Sequence, residues 1–200
     1  YPGPLNQTIL FPNPEPAQVT SNTVTLSATA SSGYPVEFAL LSGPGLVNGA
    51  HLTFTGTGEI QVTASQPGNG YWNPAPPVTN TFTVDKAIAT VTLTNLTQVF
   101  TGLPRPATAL TDPPDLTVRL TYDGDTNAPT HAGPYTVIGL VEDGMWQGGA
   151  TGLLTITKAG QTIAFPAIGD SFWTNRIVLS ATASSGLEVE FAVIAGPATL

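Results

Sequence analysis

From Val24 to Ala30 the chain reads Val-Thr-Leu-Ser-Ala-Thr-Ala, with apolar and polar residues in strict alternation. A period of two sends alternate side chains to opposite faces of an extended strand. The spacing therefore predicts a half-buried strand with Val24, Leu26, Ala28 and Ala30 turned inward. The same alternation places Val36, Phe38 and Leu40 inward, then Leu52 and Phe54, then Ile60, Val62 and Ala64, then Phe82 and Val84. Turn-forming clusters separate these runs: SSGYP at 31–35, SGPG at 42–45, TGTG at 55–58 and QPGNG at 66–70. About seven strands in roughly 78 residues, spaced by turns, predict a small β-sandwich.

The stretch 86–158 follows the same logic with different residues. Val91 and Leu93 alternate with Thr. Leu116, Val118, Leu120 and Tyr122 alternate with Thr117, Arg119 and Thr121. Tyr135, Val137, Gly139 and Val141 form another inward series, and Leu154 and Ile156 close the unit. DPPD at 112–115 and YDGD at 122–125 read as turns. Pro104, Pro106, Pro113 and Pro114 lack an N–H for a central ladder, which assigns their segments to edges or connections.

Part of the pattern repeats. LSATASSG stands at 26–33 and again at 179–186, an offset of 153 residues, and 14 of the 20 positions in 26–45 are identical in 179–198. Upstream, the pattern QTI-F-P recurs at 7–12 and 161–166 with an offset of 154, so one residue was gained or lost in between. The expected order is a module at 1–85, a different module at 86–158, and the first half of a second copy of the former at 159–200. The joints, TVDKAIATV at 83–91 and TITKAGQTI at 155–163, share a Lys-Ala pair (Lys86–Ala87 and Lys158–Ala159) and are not flexible Gly/Ser linkers. Each is expected to pass the last strand of one module almost directly into the first of the next, giving an elongated rod with limited bending. Half a sandwich leaves an apolar face and an open sheet edge. Three outcomes are open for residues 161–200: a window cut from a longer polypeptide, completion by a strand from another copy in a head-to-tail polymer, or packing against a neighbouring module. The first is the expectation.

Composition narrows the function classes. Hydrophobic residues make up 41% of the chain, enough for packed cores, whereas charged residues make up only 9%, against roughly 25% in an ordinary soluble domain. The 21 Gly and 19 Pro leave little room for long helices. A net charge of −8 disfavours nucleic acid and anionic membrane surfaces as partners. The absence of Cys excludes disulfides, thiolate catalysis and Cys-ligated metals; it fits bacterial secretion better than a small disulfide-bonded eukaryotic module. No apolar run reaches the roughly 18 residues of a membrane span, and no signal-peptide pattern stands at Tyr1.

Candidate chemistry is sparse. His51 and His131 fall in different modules, and a metal or general base needs partners close in space. No nucleophile-elbow context accompanies SGPG or GTG. Asp112, Asp115, Asp123, Asp125, Glu142 and Asp143 gather in the central stretch, and DGDTN at 123–127 starts like a calcium loop but lacks the later bidentate Glu. Asp-Gly is also a favoured tight-turn pair, and a turn is the expectation. Trp72, Trp146 and Trp173, with Tyr1, Tyr34 and Tyr71, are the residues that would stack on a sugar; YW at 71–72 and MW at 145–146 precede closing strands, which favours a structural cap on a sandwich or a joint. NQT at 6–8 and NLT at 95–97 match the N-glycosylation sequon. No residue is assigned a catalytic, cofactor-binding or metal-binding role, and no cofactor is expected.

The segments KAIATVTLTNLTQVFTGLPRPAT, LTVRLTYDG, APTHAGPYTV and GGATGLLTITKA, which span 86–158, resemble the MBG-type repeat of large bacterial surface proteins. Residues 7–85, with QTI-FP, LSATASSGYPVEFALLSGPG and LTFTGTGEIQVTASQPGNGYW, resemble bacterial Ig-like repeats. The departure is at 13–18, where NPEPAQ replaces the usual aliphatic pattern; its counterpart AIGDSFWTN at 167–175 differs again, carrying Phe172 and Trp173, and reads as a loop or an edge. The resemblance implies an all-β protein of tandem small Ig-like β-sandwich modules, extracellular or on the bacterial cell surface. It implies a structural stalk or fibre repeat with a spacing or adhesive role and no catalysis. Its partners are then neighbouring repeats or other copies in a fibre. The alternatives are a carbohydrate-binding module with a glycan ligand and an accessory domain of a secreted enzyme.

Overall fold

The computed structural model describes residues 3–14, 17–172 and 174–199; Tyr1 and Trp173, two of the aromatics considered above, lie outside them. Every regular element among the described residues is a β-strand, so the protein is all-β, and no helix is long and apolar enough to cross a membrane.

The first nine strands are β1 (Ile9–Leu10), β2 (Ala17–Val19), β3 (Thr23–Thr25), β4 (Thr29–Ala30), β5 (Glu37–Ser42), β6 (Gly45–Asn48), β7 (His51–Phe54), β8 (Gly58–Ser65) and β9 (Val78–Asp85). One sheet runs β2-β9-β8-β5 and another β3-β7-β6, with β1 paired to β4. Within the larger sheet β2 is parallel to β9 and the other pairs are antiparallel. The alternating residues meet in one core. Leu52, Ile60, Val62 and Ala64 are completely buried, Leu26, Phe54, Phe82 and Val84 nearly so, and Val24, Ala28, Val36, Phe38 and Leu40 pack against them half-buried. The edge-on contact of Phe54 with Phe82, ring centroids 6.2 Å apart, sits inside this core.

The alternation at 24–30 predicts one strand, but the chain forms two. Val24 in β3 lies opposite Leu52, whereas Ala30 in β4 lies opposite Ile9. Between them the Leu26 N–H donates to the Ala50 carbonyl at 2.7 Å. Extended backbone can exchange hydrogen-bond partners without turning over, so the inward side of the segment is kept while its sheet changes.

The central unit holds β10 (Ala87–Ile88), β11 (Thr90–Thr94), β12 (Thr97–Val99), β13 (Thr108–Asp112), β14 (Val118–Tyr122), β15 (Gly133–Val141), β16 (Trp146–Gln147) and β17 (Gly149–Thr157). Its main sheet runs β12-β17-β15-β14, again with a parallel first pair, and β11 pairs with β13. This is the strand plan of the N-terminal sheet, so two stretches that differ in sequence share an arrangement. Tyr122, Val137, Leu154 and Ile156 form its core with Ala107. The Tyr122 phenol accepts the buried Ala107 N–H at 3.0 Å. Gly139 is needed for packing, because Leu93, Val118 and Leu120 already stand 3.2 Å from where its Cβ would be. The four prolines at 104, 106, 113 and 114 all fall between strands.

Beyond Thr157 only β18 (Ile163–Ala164) and β19 (Thr182–Ala183) are assigned among the described residues, paired antiparallel. No described residue of this region is buried. The two joints also differ. One residue, Lys86, separates β9 from β10, but residues 158–162 are all outside strands and exposed before β18 begins. The nearly direct passage expected at both joints holds only at the first, where β10 finds β16 as a partner.

Candidate functional site

The residues singled out for chemistry do not converge. His51 is exposed on β7, across from Thr25 and Asn48. His131 is exposed in the loop before β15, its Nδ1 at 3.2 Å from the Thr130 hydroxyl. No group of three or more His, Asp or Glu among the described residues is arranged to hold a metal ion.

The acidic residues serve the backbone instead. Asp123 and Gly124 both have positive φ, 50° and 93°, and Tyr122 and Asp125 exchange backbone hydrogen bonds of 2.7 and 2.9 Å across them. That is a two-residue Asp-Gly turn of the hairpin kind, folding the end of β14 back onto an isolated bridge at Asp125. The Asp123 carboxylate accepts the Thr136 N–H at 2.8 Å. The Asp125 carboxylate accepts the Asn127 N–H at 2.8 Å and its side-chain amide at 3.0 Å. Those donations hold Asp125 below the usual carboxylate range. Arg119 and Glu142 form an exposed ion pair at 2.6 Å, a geometry that adds little stability in water.

Side chains from distant parts of the chain do meet at the joint between the first two units. Thr20 follows β2 directly, is only 4% exposed, and donates its N–H to the Asp85 carbonyl at 2.9 Å. Its hydroxyl accepts the Ala87 N–H at 3.0 Å and donates to the Met145 carbonyl. One buried hydroxyl therefore ties the N-terminal unit, the connecting residue pair and the central unit together. Lys86 reaches across to the Asp143 carbonyl at 2.5 Å. Ala87 and Ala89 donate to the Met145 and Gln147 carbonyls at 2.9 and 2.8 Å, which makes β10 and β16 a short parallel ladder. Gly148 allows that approach, since a Cβ there would collide with the Ala89 carbonyl.

The Asp143 carboxylate shapes the receiving turn by accepting the N–H groups of Met145 and Trp146 at 2.7 and 3.0 Å. The N-terminal unit carries the same device. Asn69 accepts from Tyr71 and Trp72 at 2.8 and 3.0 Å, and Leu5 exchanges backbone bonds with Tyr71 and Asn73, both 2.8 Å. NGYW at 69–72 and DGMW at 143–146 are thus one Asx-turn hook that grips the strand entering its unit. Trp72 and Trp146 are half-buried beside it, whereas Tyr71 and Tyr34 are exposed. The paired Asx-Gly-x-Trp pattern is the signal by which the sequence could have shown the hook. Thr20 carries no such signal, being one threonine among many. After β12 the corresponding place is held by Phe100, whose N–H donates to the Thr157 carbonyl at 2.8 Å but whose side chain has no hydroxyl to bridge with.

Comparison with known proteins bears on the unit that carries this hook. Residues 89–160 match the family model described as MBG domain. No curated protein matches the chain. Among solved structures, the chain is similar to mouse cadherin-23 EC22-24 at 14% identity and TM-score 0.30, covering 77% of this chain and 65% of that one. It is similar to Sidekick-1 immunoglobulin domains 1-5 at 12% identity and TM-score 0.32, covering 89% and 45%. Drosophila N-cadherin EC1-4 follows at 12% identity and TM-score 0.27, covering 92% and 58%. The chain thus spans about half to two-thirds of the length of these structures. At such TM-scores the likenesses carry no weight for its fold; the all-β architecture rests on its own strands.

Proposed function

We propose that this chain is a non-catalytic spacer segment of a secreted or cell-surface bacterial protein, built from tandem β-sandwich modules that hold one another at a defined angle. The buried Thr20 hydroxyl at the joint carries the reading. A linker that only tethered two domains would have no need of a desolvated side chain bonded to both, because an unsatisfied buried hydroxyl costs about 1–3 kcal/mol. Low charge, threonine-rich strand faces and the MBG match at 89–160 support the same role.

The test is the relative orientation of residues 3–85 and 87–157 in solution. Residual dipolar couplings from the two parts are expected to fit a single alignment tensor in the native chain. In Thr20→Val, which keeps the shape and removes the hydroxyl, both cores are expected to stay folded while the two tensors diverge. A native chain that already requires two unrelated tensors would remove the spacer reading.

A further inference from the structure

The region 161–199 repeats the part of the N-terminal unit that precedes β7, β8 and β9, the middle strands of its two sheets. Ile163, Phe165, Ile177, Leu179, Val189 and Phe191 line a groove of about 1120 Å³. By the repeat offsets they correspond to Ile9, Phe11, Val24, Leu26, Val36 and Phe38, all of which belong to or pack on the N-terminal core. The local geometry of the first copy is already present. Ile163 lies opposite Ala183 as Ile9 lies opposite Ala30. The Phe165–Phe191 rings stand 5.6 Å apart at 60°, against 5.4 Å and 53° for Phe11–Phe38. Thr162 receives Ser184 and returns to it as Thr8 does to Ser31, with bonds of 2.9 to 3.0 Å in both copies.

In the first copy β7 pairs with β3, β8 with β5, and β9 with β8 and β2, so the three strands fill the middle of both sheets and bring Leu52, Phe54, Ile60, Val62, Phe82 and Val84 into the core with these residues. A polar anchor accompanies them. Gln7 takes the Ser32 hydroxyl on its oxygen and donates from its nitrogen to Gln66 at 2.7 Å and to the Asn73 carbonyl at 2.8 Å. In the second copy Gln161 keeps the corresponding Ser185 bond, yet the residue is exposed.

We infer that the groove at 163–199 is the acceptor for a polypeptide segment with the chemistry of residues 51–85: three strands whose inward side chains alternate as Leu52/Phe54, Ile60/Val62/Ala64 and Phe82/Val84 do, with carbonyl acceptors for Gln161 between the second and the third, where Gln66 and Asn73 stand in the first copy. The segment is not the 51–85 stretch of another copy, because there those side chains are already sealed in their own core at 0 to 6% exposure. It is a further stretch of the same type, and it orders 161–199 by supplying the middle strands of both sheets, hydrogen-bond partners and inward side chains together.

Joining residues 48–85 of this sequence directly after Leu200 in the full chain tests the inference, since Leu200 corresponds to Val47. Amide exchange at Ile163–Val193 is expected to slow by at least about 100-fold relative to the native chain, with protection like that of Ile9–Leu40. The same extension carrying Leu52→Asp, Ile60→Asp and Val62→Asp is expected to give no protection, and Phe191→Asp to abolish it while leaving residues 3–157 folded. An extended chain whose 163–193 amides still exchange as freely as before would overturn the inference. So would a native chain that forms dimers or polymers with 163–193 already protected, which would make a second copy the occupant.

Discussion

Residues 7–12 and 26–45 recur closely at 161–166 and 179–198, the same letters in two settings. The tight local geometry is common to both: Gly33 and Gly186 have φ of 77° and 74° and donate to the Ala30 and Ala183 carbonyls, and Gly43 and Gly196 have φ of 102° and 101°. The longer strands are not. Residues 23–25 and 37–42 are β3 and β5 in the first copy, but no strand is assigned at 176–178 or 190–195 in the second. Leu26 is 3% exposed, while its counterpart Leu179 is only half-buried. Turns formed by glycine and serine are local and survive alone; a strand is a property of a pair and vanishes with its partner.

The largest expected contrast is in hydrogen exchange. Amides of β5 that bond to β8 should be protected at least about 1000-fold more than their counterparts at 190–195, the least that global unfolding of a stable domain allows. Comparable protection in both would break the comparison. Next are the two glycines. Gly43 packs so closely on β8 that a Cβ would collide with the Glu59 carbonyl and crowd Ile60, whereas at Gly196 nothing stands within 4 Å. Gly43→Ala should destabilise the N-terminal unit by about 3 kcal/mol or more, adding overpacking to an unfavourable φ. Gly196→Ala should leave its denaturant midpoint unmoved.

Leu26→Ala should cost about 3 kcal/mol in equilibrium unfolding, from lost burial and the cavity left behind. Leu179→Ala should cost nothing measurable in the native chain. In the chain extended by residues 48–85, a cost at Leu179 approaching that at Leu26 would sharpen the comparison by showing that only the missing middle strands separate the copies. The smallest contrast is polar. Gln7→Ala strips a buried network of its central amide and should cost about 2 kcal/mol, while Gln161→Ala, exposed, should be neutral in the same measurement.

Much of the core was legible because burial in a two-faced strand is written with period two. Leu52, Ile60, Val62, Val137 and Leu154, all inward in the pattern, are all completely buried. The Asp123–Gly124 turn was legible for a local reason, the tolerance of that pair for positive φ. The joint was legible only in outline. The Lys-Ala pair marks where one unit passes to the next, but the contact made by Thr20 joins residues 125 positions apart, and no short-range pattern encodes a distance of that kind.

By itself, then, the sequence determined the strand content, the inward residues, the turns and the repeat, because each depends on side chains within a few positions of one another. Only the tertiary structure decided that the 24–30 strand divides between two sheets, that two dissimilar stretches share one strand order, and that a threonine hydroxyl locks their joint. It also decided that identical letters are core at Leu26 and open groove at Leu179. Those outcomes depend on which distant strand supplies the opposite hydrogen bonds and the opposite wall, and a pattern of alternation states that a partner is needed without saying whether one is present.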